Sequence, residues 1–220
     1  MDLRLFFDAL SDKNIDHYKT LNGFGTHVNY FGTALPEIVK ADIAFFTIKN
    51  SSEEEEANLT KNVDETSGRL AEVCAHLIRN DVLPVILGCD HELDMGQFLA
   101  YQEMDKMLSV LTVDATVDMD TPKEDVFGHT QKMLLHHPNY LFDYCHLGYQ
   151  RYYVDKKVLD TFMKLNFEVR SIGQMRDNVE DIEPLMRTAD MLSFDISAIR
   201  NAELPIINVL HPFGLSSEEA

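Results

Sequence analysis

Residues 108 to 120 read LSVLTVDATVDMD, and this stretch decides how the rest of the chain is read. An apolar run carried by Leu108, Val110, Leu111 and Val113 stops at Asp114, and Asp118 and Asp120 follow. A strand buried on both faces of a parallel sheet is a short, nearly continuous hydrophobic run, and ligands gather at its carboxyl end. A carboxylate there is costly to bury without a cation or hydrogen bonds to meet it. Asp114 therefore reads either as the cap of a turn or as a ligand.

The pattern repeats on both sides of this segment. Upstream, Asp42–Ile48 reads as a buried strand. Leu70, Val73, Cys74, Leu77 and Ile78 recur at helical spacing within 65–79. Val82–Leu87 reads as a second strand and Met95–Met107 as a second helix. Downstream come a helix over Gln131–His136 that stops before Pro138, and a strand over Tyr144–Tyr149. A helix over Asp155–Leu165 follows, with Asp155 as its N-cap, and then a strand over Phe167–Ile172. Val179–Thr188 reads as a helix, with Pro184 tolerated only if the regular helix begins there. Met191–Ser197 is the last strand, and it again runs into an aspartate, Asp195. This alternation predicts an α/β protein with a mostly parallel, doubly wound sheet and helices on both faces. Residues 1–220 read as a single domain, in which 1–40, broken by Asn22-Gly23-Phe24-Gly25, form a loop-rich lead-in.

Composition narrows the partners. The chain has 220 residues, 45% hydrophobic and 25% charged, and a formal charge of −18. That balance repels nucleic-acid phosphates and anionic membranes and favours cations. The run Ser51–Glu56 reads as a solvated acidic surface, because adjacent side chains point in different directions. No stretch approaches the ~20 apolar residues of a membrane span, and the start MDLRLFFDALSD lacks the features of a secretory signal. Three widely spaced cysteines, Cys74, Cys89 and Cys145, suit free thiols in a reducing compartment, with cytoplasm as the default location.

Three predicted strands now end in metal-type ligands: His91 after one, Asp114 and Asp118 after the next, Asp195 after the last. The carboxyl ends of a doubly wound sheet share one edge, so these side chains can converge. One imidazole with three carboxylates is a hard, oxygen-rich donor set that suits Mn²⁺ above Mg²⁺ or Zn²⁺. Asp114 and Asp118 can meet one ion if the chain turns sharply between them.

The ordered segments GCDHE (88–92), VDATVD (113–118) and SFDIS (193–197) resemble the ureohydrolase family of arginase, agmatinase and formimidoylglutamase. The resemblance runs from about Asp42 onward. It is closest to a divergent formimidoylglutamase-like branch, through HHPNYLFDYCHLGYQ (136–150) and LSFDISAIR (192–200). Three motifs in this order set the chain apart from other doubly wound proteins with strand-end aspartates, such as receivers and phosphatases. The resemblance implies a three-layer α/β/α, arginase-like fold, a homo-oligomer, and metal-dependent hydrolysis of a linear guanidino or formimino C–N bond.

Residue by residue, His91, Asp114, Asp118 and Asp195 match the ligands of the family's first ion, with Asp114 and Asp195 also bridging to a second. The second ion's histidine is replaced by Thr116 and its aspartate by Ser197. Both are neutral hydroxyls at pH 7. The resemblance therefore implies one Mn²⁺ and a degraded second site. His129 lies near the family's proton-shuttling histidine and is the candidate catalytic residue; a surface or helix-start histidine is its alternative. His136 and His137 are explained by the helix end beside them. Against the family pattern the segment Asn50–Glu65 is short and a C-terminal part is missing. Two functions are expected: a ureohydrolase-type enzyme, or a non-catalytic member of the fold acting as an oligomer partner or ligand-sensing subunit.

Overall fold

The computed structural model describes residues 41–48, 59–88, 91–119, 128–204 and 212–220. The lead-in over 1–40, the acidic run Ser51–Glu56, Cys89 and Asp120 lie outside the described residues. The chain divides into two compact units, Met1–Cys89 and Asp90–Ala220.

In the first unit, strands β1 (Ile43–Thr47) and β2 (Leu83–Leu87) pair in parallel, with Phe45 opposite Val85. Helix α1 (Leu59–Arg79) links them. It buries Val73 and Leu77 against Val82, with Ala44 and Phe46 packed alongside. The helix is longer than its apolar repeat, starting six residues before Glu65. It closes at Asn80-Asp81, where Asp81 takes φ 59°, a left-handed conformation that aspartate tolerates.

The second unit holds helix α2 (Asp94–Glu103), strand β3 (Leu108–Val113), helix α3 (His129–Leu135) and strand β4 (Leu141–Tyr149). Helix α4 (Lys156–Lys164), strand β5 (Glu168–Ser171), helix α5 (Ile172–Asp177), helix α6 (Ile182–Thr188) and strand β6 (Met191–Phe194) follow. The four strands form one parallel sheet in the order β5-β4-β3-β6. Side chains on successive strand residues face opposite sides, and both sides are covered. Leu108, Val110, Tyr144 and Met191 pack against Phe98 of α2, Met133 of α3, and Val158 and Phe162 of α4. Leu111, Val113, Cys145 and Leu147 pack against Met175 of α5, with Ile182 and Leu185 of α6 beside them. The second unit is thus a three-layer α/β/α arrangement. It explains why LSVLTV is apolar almost without alternation: β3 is central and covered on both faces.

The connections place the site. From β3 the chain winds to β4 and β5 through helices on one face. It then returns through α5 and α6 on the other face to lay β6 on the far side of β3. The winding direction reverses between β3 and β6, the place where open α/β sheets bind ligands.

Several local expectations shift. The strand expected to run to Ile172 stops at Ser171, which begins a helix as one half of a reciprocal capping box with Gln174. The helix expected from Val179 is a 3-10 turn (Val179–Asp181) before the regular α6, whose third residue is Pro184. Helical N–H groups in that first turn lack partners in any case, so proline costs little. Helix α2 ends at Glu103, not Met107, because Asp105 takes φ 55° and releases the chain into β3. Asp155 caps α4 as expected, accepting from the Lys157 amide at 2.8 Å.

Candidate metal centre

Two strand ends build the floor of the site. The Asp114 amide donates to Leu147 O and the Asp195 amide donates to Val113 O, so the ladders of β4, β3 and β6 carry one residue beyond the strands. Asp114 and Asp195 stand side by side at the switch point as a result. Each caps its own turn. Asp114 Oδ1 accepts from the Thr116 amide at 3.1 Å, and Asp195 Oδ1 accepts from the Ser197 amide at 2.7 Å. The capping role and the ligand role of Asp114 are therefore not alternatives, because a carboxylate has lone pairs for both.

The Asp114 turn brings Asp118 back toward the sheet. Thr116 Oγ1 lies 3.2 Å from Asp114 Oδ2 and 3.4 Å from Asp118 Oδ1, and its single proton is shared between the two carboxylates. Ser197 Oγ donates to Asp114 Oδ1 at 3.3 Å. The two hydroxyls at the changed positions thus point protons at carboxylates.

His91 opens a 3-10 turn (His91–Leu93) that runs straight into α2. Its Nδ1 lies 3.1 Å from Asp195 Oδ2 and its Nε2 lies 2.8 Å from Asp118 Oδ2. His129, the first residue of α3, has its Nδ1 3.2 Å from the same Asp118 oxygen. The two imidazole rings have centroids 4.4 Å apart. His129 is only 2% exposed, so it is not a surface histidine, but it does open a helix, as its alternative reading allowed.

The electrostatics follow from this crowding. Burial pushes the Asp114 carboxyl above the usual carboxylate range, opposed by the Thr116 amide, while the charges of Asp195 and Asp118 add to the rise. Asp114 is 1% exposed, and among the described residues its side-chain hydrogen bonds come from neutral donors. Burial also opposes ionisation of Asp118, but hydrogen bonds from His129 and His91 outweigh it and hold that carboxyl well below its ordinary value. The hydrogen bond from His91 lowers Asp195 in the same way, against burial.

Sequence reasoning missed Asp94 and the polar network behind it. Asp94 is partly buried beside the site, accepts from Ser193 Oγ, and lies 3.9 Å from His129 Nε2. Burial raises its carboxyl, against the Ser193 hydroxyl. It reads in sequence as an ordinary acid at a helix start; its spacing of three from His91 was the available signal. A buried chain of polar contacts runs from His129 Nε2 to Thr130 Oγ1, Tyr144 OH, His146 Nδ1 and, from His146 Nε2, to Asp114 O. Burial pushes His146 down to about 4, so it is neutral at pH 7. His136 instead bonds Gln102 Oε1 at 2.6 Å and sits edge-on to Phe98, a packing role.

The donor set fits a divalent cation. The ligand atoms of His91, Asp114 and Asp195 lie within 4.8 Å of one another, and so do those of His91, Asp118 and His129. The most buried carboxylate of the first set has no cationic group bonded to it among the described residues, which a metal ion would supply.

Residues 23–220 match the arginase family model. The chain belongs to the arginase family. It is 26% identical over 171 residues to the formimidoylglutamase of Geobacillus kaustophilus, covering 72% of this chain and 52% of that relative. Rattus norvegicus arginase-1 is 31% identical over 81 residues, covering 37% of this chain and 25% of the relative. The chain thus spans about half the length of the formimidoylglutamase and a quarter of the arginase.

Solved structures agree on the family's fold. An agmatine ureohydrolase of Thermoplasma volcanium superposes with a TM-score of 0.63 at 15% identity, covering 99% of this chain and 82% of that one. A Trypanosoma cruzi formiminoglutamase with Mn²⁺ gives a TM-score of 0.63 at 16% identity, covering 78% and 58%. Formimidoylglutamase from Bacillus subtilis gives 0.58 at 14%, covering 94% and 84%. Cys74 and Cys145 are free and buried, and burial pushes both thiols up to about 12, which leaves them unreactive. Among the described residues no helix is long and apolar enough to cross a membrane.

Proposed function

We propose that this chain is a metal-dependent hydrolase of a linear guanidino or formimino C–N bond. The observation that carries the reading is the meeting of His91, Asp114 and Asp195 at the switch point of an arginase-family sheet. Those three residues would hold one Mn²⁺, and Asp118, tied to Asp114 through Thr116, would complete the set. When bound, the ion would lower the pKa of a water molecule that attacks the guanidino or formimino carbon.

The chain's own residues do the rest. Asp114 and Asp195, fixed by their turn hydrogen bonds, would hold the ion. His129 holds a proton between its Nδ1 and Asp118 and passes it to the leaving nitrogen. His146 and Tyr144 keep the Asp114 backbone in place from behind.

A hydrolysis screen with arginine, agmatine, guanidinobutyrate and formiminoglutamate, with and without Mn²⁺, tests the reading. Mn²⁺-dependent turnover of one of them, abolished in Asp195→Asn, is the expected result; no turnover of any overturns it. The hydroxyls of Thr116 and Ser197, donating to carboxylates where the family places ligands, favour a second reading. In that reading the chain is a non-catalytic family member that binds one ion or none and serves as an oligomer partner or ligand-sensing subunit. The same screen separates the two.

A further inference from the structure

His91 meets one group of ligand atoms with each ring nitrogen. On its Nδ1 side stands Asp195, grouped with Asp114; on its Nε2 side stands Asp118, grouped with His129. The first set offers one nitrogen and two carboxylates. The second offers two nitrogens and one carboxylate. A neutral imidazole carries one lone pair, so His91 can serve only one set at a time.

We infer that the protein has two mutually exclusive cation seats that share His91 and Asp118. The oxygen-rich seat, built on Asp114 and Asp195, takes Mn²⁺, and a nitrogen-rich seat, built on His129, takes Zn²⁺ or Co²⁺. The oxygen-rich seat belongs to the function proposed above, while the nitrogen-rich seat rests on its own contacts.

Two contacts of the second set, hydrogen bonds in this structure, have lengths that ligands around one ion also take. Bonds of ~2.1 Å place neighbouring ligand atoms ~3.0 Å apart at a right angle and ~3.4 Å apart at a tetrahedral angle. His91 Nε2 and His129 Nδ1 lie 2.8 and 3.2 Å from the same Asp118 oxygen. The two ring centroids lie 4.4 Å apart, with the rings tilted by 32°.

His129 is also held as a ligand histidine is held. A ligating imidazole has its other nitrogen oriented by a carboxylate or another polar group. The far nitrogen of His129, Nε2, faces Thr130 Oγ1 at 3.4 Å and Asp94 Oδ2 at 3.9 Å, and Ser193 holds Asp94 in turn. Gly128 allows the start of α3 to press against Asp118, which fixes the distance between the two ligands. Two imidazoles with one carboxylate suit borderline cations, whereas the carboxylate-rich set suits Mn²⁺.

The test is a pair of titrations on the full chain. Mn²⁺ and Co²⁺ binding are measured by calorimetry, and Co²⁺ also by its visible absorption, in the wild type, Asp195→Asn and His129→Phe. His129→Phe keeps an aromatic ring, somewhat larger, and removes the nitrogens; His129→Asn is a second, smaller variant should the first not fold, as judged by circular dichroism. The expected result is that His129→Phe weakens Co²⁺ by about 100-fold or more, alters its spectrum and leaves Mn²⁺ unchanged. Asp195→Asn should do the reverse. Co²⁺ affinity and spectrum unchanged by loss of His129, or both metals responding to the same variant, overturns the inference. Failure of Mn²⁺ binding alone strikes the proposed function and leaves the nitrogen-rich seat standing.

Discussion

Gly128 and Asp118 are packed so closely that a Cβ on Gly128 would lie 2.2 Å from the carbonyl oxygen of Asp118. No side chain fits there without backbone movement. Gly128 has an ordinary φ of −58°, so the requirement is for space and not for conformation.

Gly128→Ala should therefore push the start of α3 away from Asp118. Overpacking of this kind costs about 1–3 kcal/mol, visible as a lower thermal midpoint. Co²⁺ affinity should fall more than Mn²⁺ affinity, because His129 is the residue displaced. Equal losses would mean that the helix start does not set the nitrogen-rich seat.

Thr116 and Ser197 should accept a restored second ion. The variant Thr116→His with Ser197→Asp replaces two hydroxyl donors by a ligand pair beside Asp114. Two ions held ~3.5–4 Å apart is the arrangement such sites use. Elemental analysis should show Mn²⁺ per chain rising over the wild type. An unchanged content would indicate that the surrounding backbone no longer admits the second position.

Phe162 offers a test of the core. It is fully buried, with ring centroids 5.4 Å from Tyr144 and 6.1 Å from Phe167. Phe162→Ala should destabilise the chain by about 3–5 kcal/mol in denaturant titration. A loss under ~1 kcal/mol would contradict α4 as a core helix of this sheet.

The C-terminal segment carries a pH signature. Arg176 grips Glu219 with two hydrogen bonds, Nε to Oε1 at 2.7 Å and Nη2 to Oε2 at 2.9 Å. These hold the Glu219 carboxyl down at about 2. A folded value below the unfolded one, about 4.3, stabilises the chain above that pH. The contribution is then lost as pH falls through the folded value. The pair is half-exposed, so its worth is at most ~1 kcal/mol. The stability gap between wild type and Glu219→Gln should be largest near neutrality and close between about pH 5 and 2; a gap that widens on acidification would refute the assignment.

Much of this was legible in the sequence, for identifiable reasons. Strands covered on both faces show as unbroken apolar runs, which exposed β3 at once and located Asp114 at its end. Asp195 was found by its place at the end of β6, a strand whose residues alternate buried and exposed. What stayed hidden depends on single side-chain bonds. The Ser171–Gln174 capping box starts a helix where β-branched and apolar neighbours suggested a continuing strand. Asp94 looked like any acid in a first helical turn, and only the fold brings Ser193, 99 residues away in sequence, to its carboxylate. His129 was recognisable as a candidate, but its contact with Asp118 across 11 residues was not.

The central claim is that the strand-end carboxylates hold a divalent cation, and the metal content of the loaded chain tests it most directly. After Mn²⁺ loading and removal of free metal, elemental analysis should find about one ion per chain, with Asp114→Asn reduced to background. A wild-type chain that retains no Mn²⁺ would contradict the account.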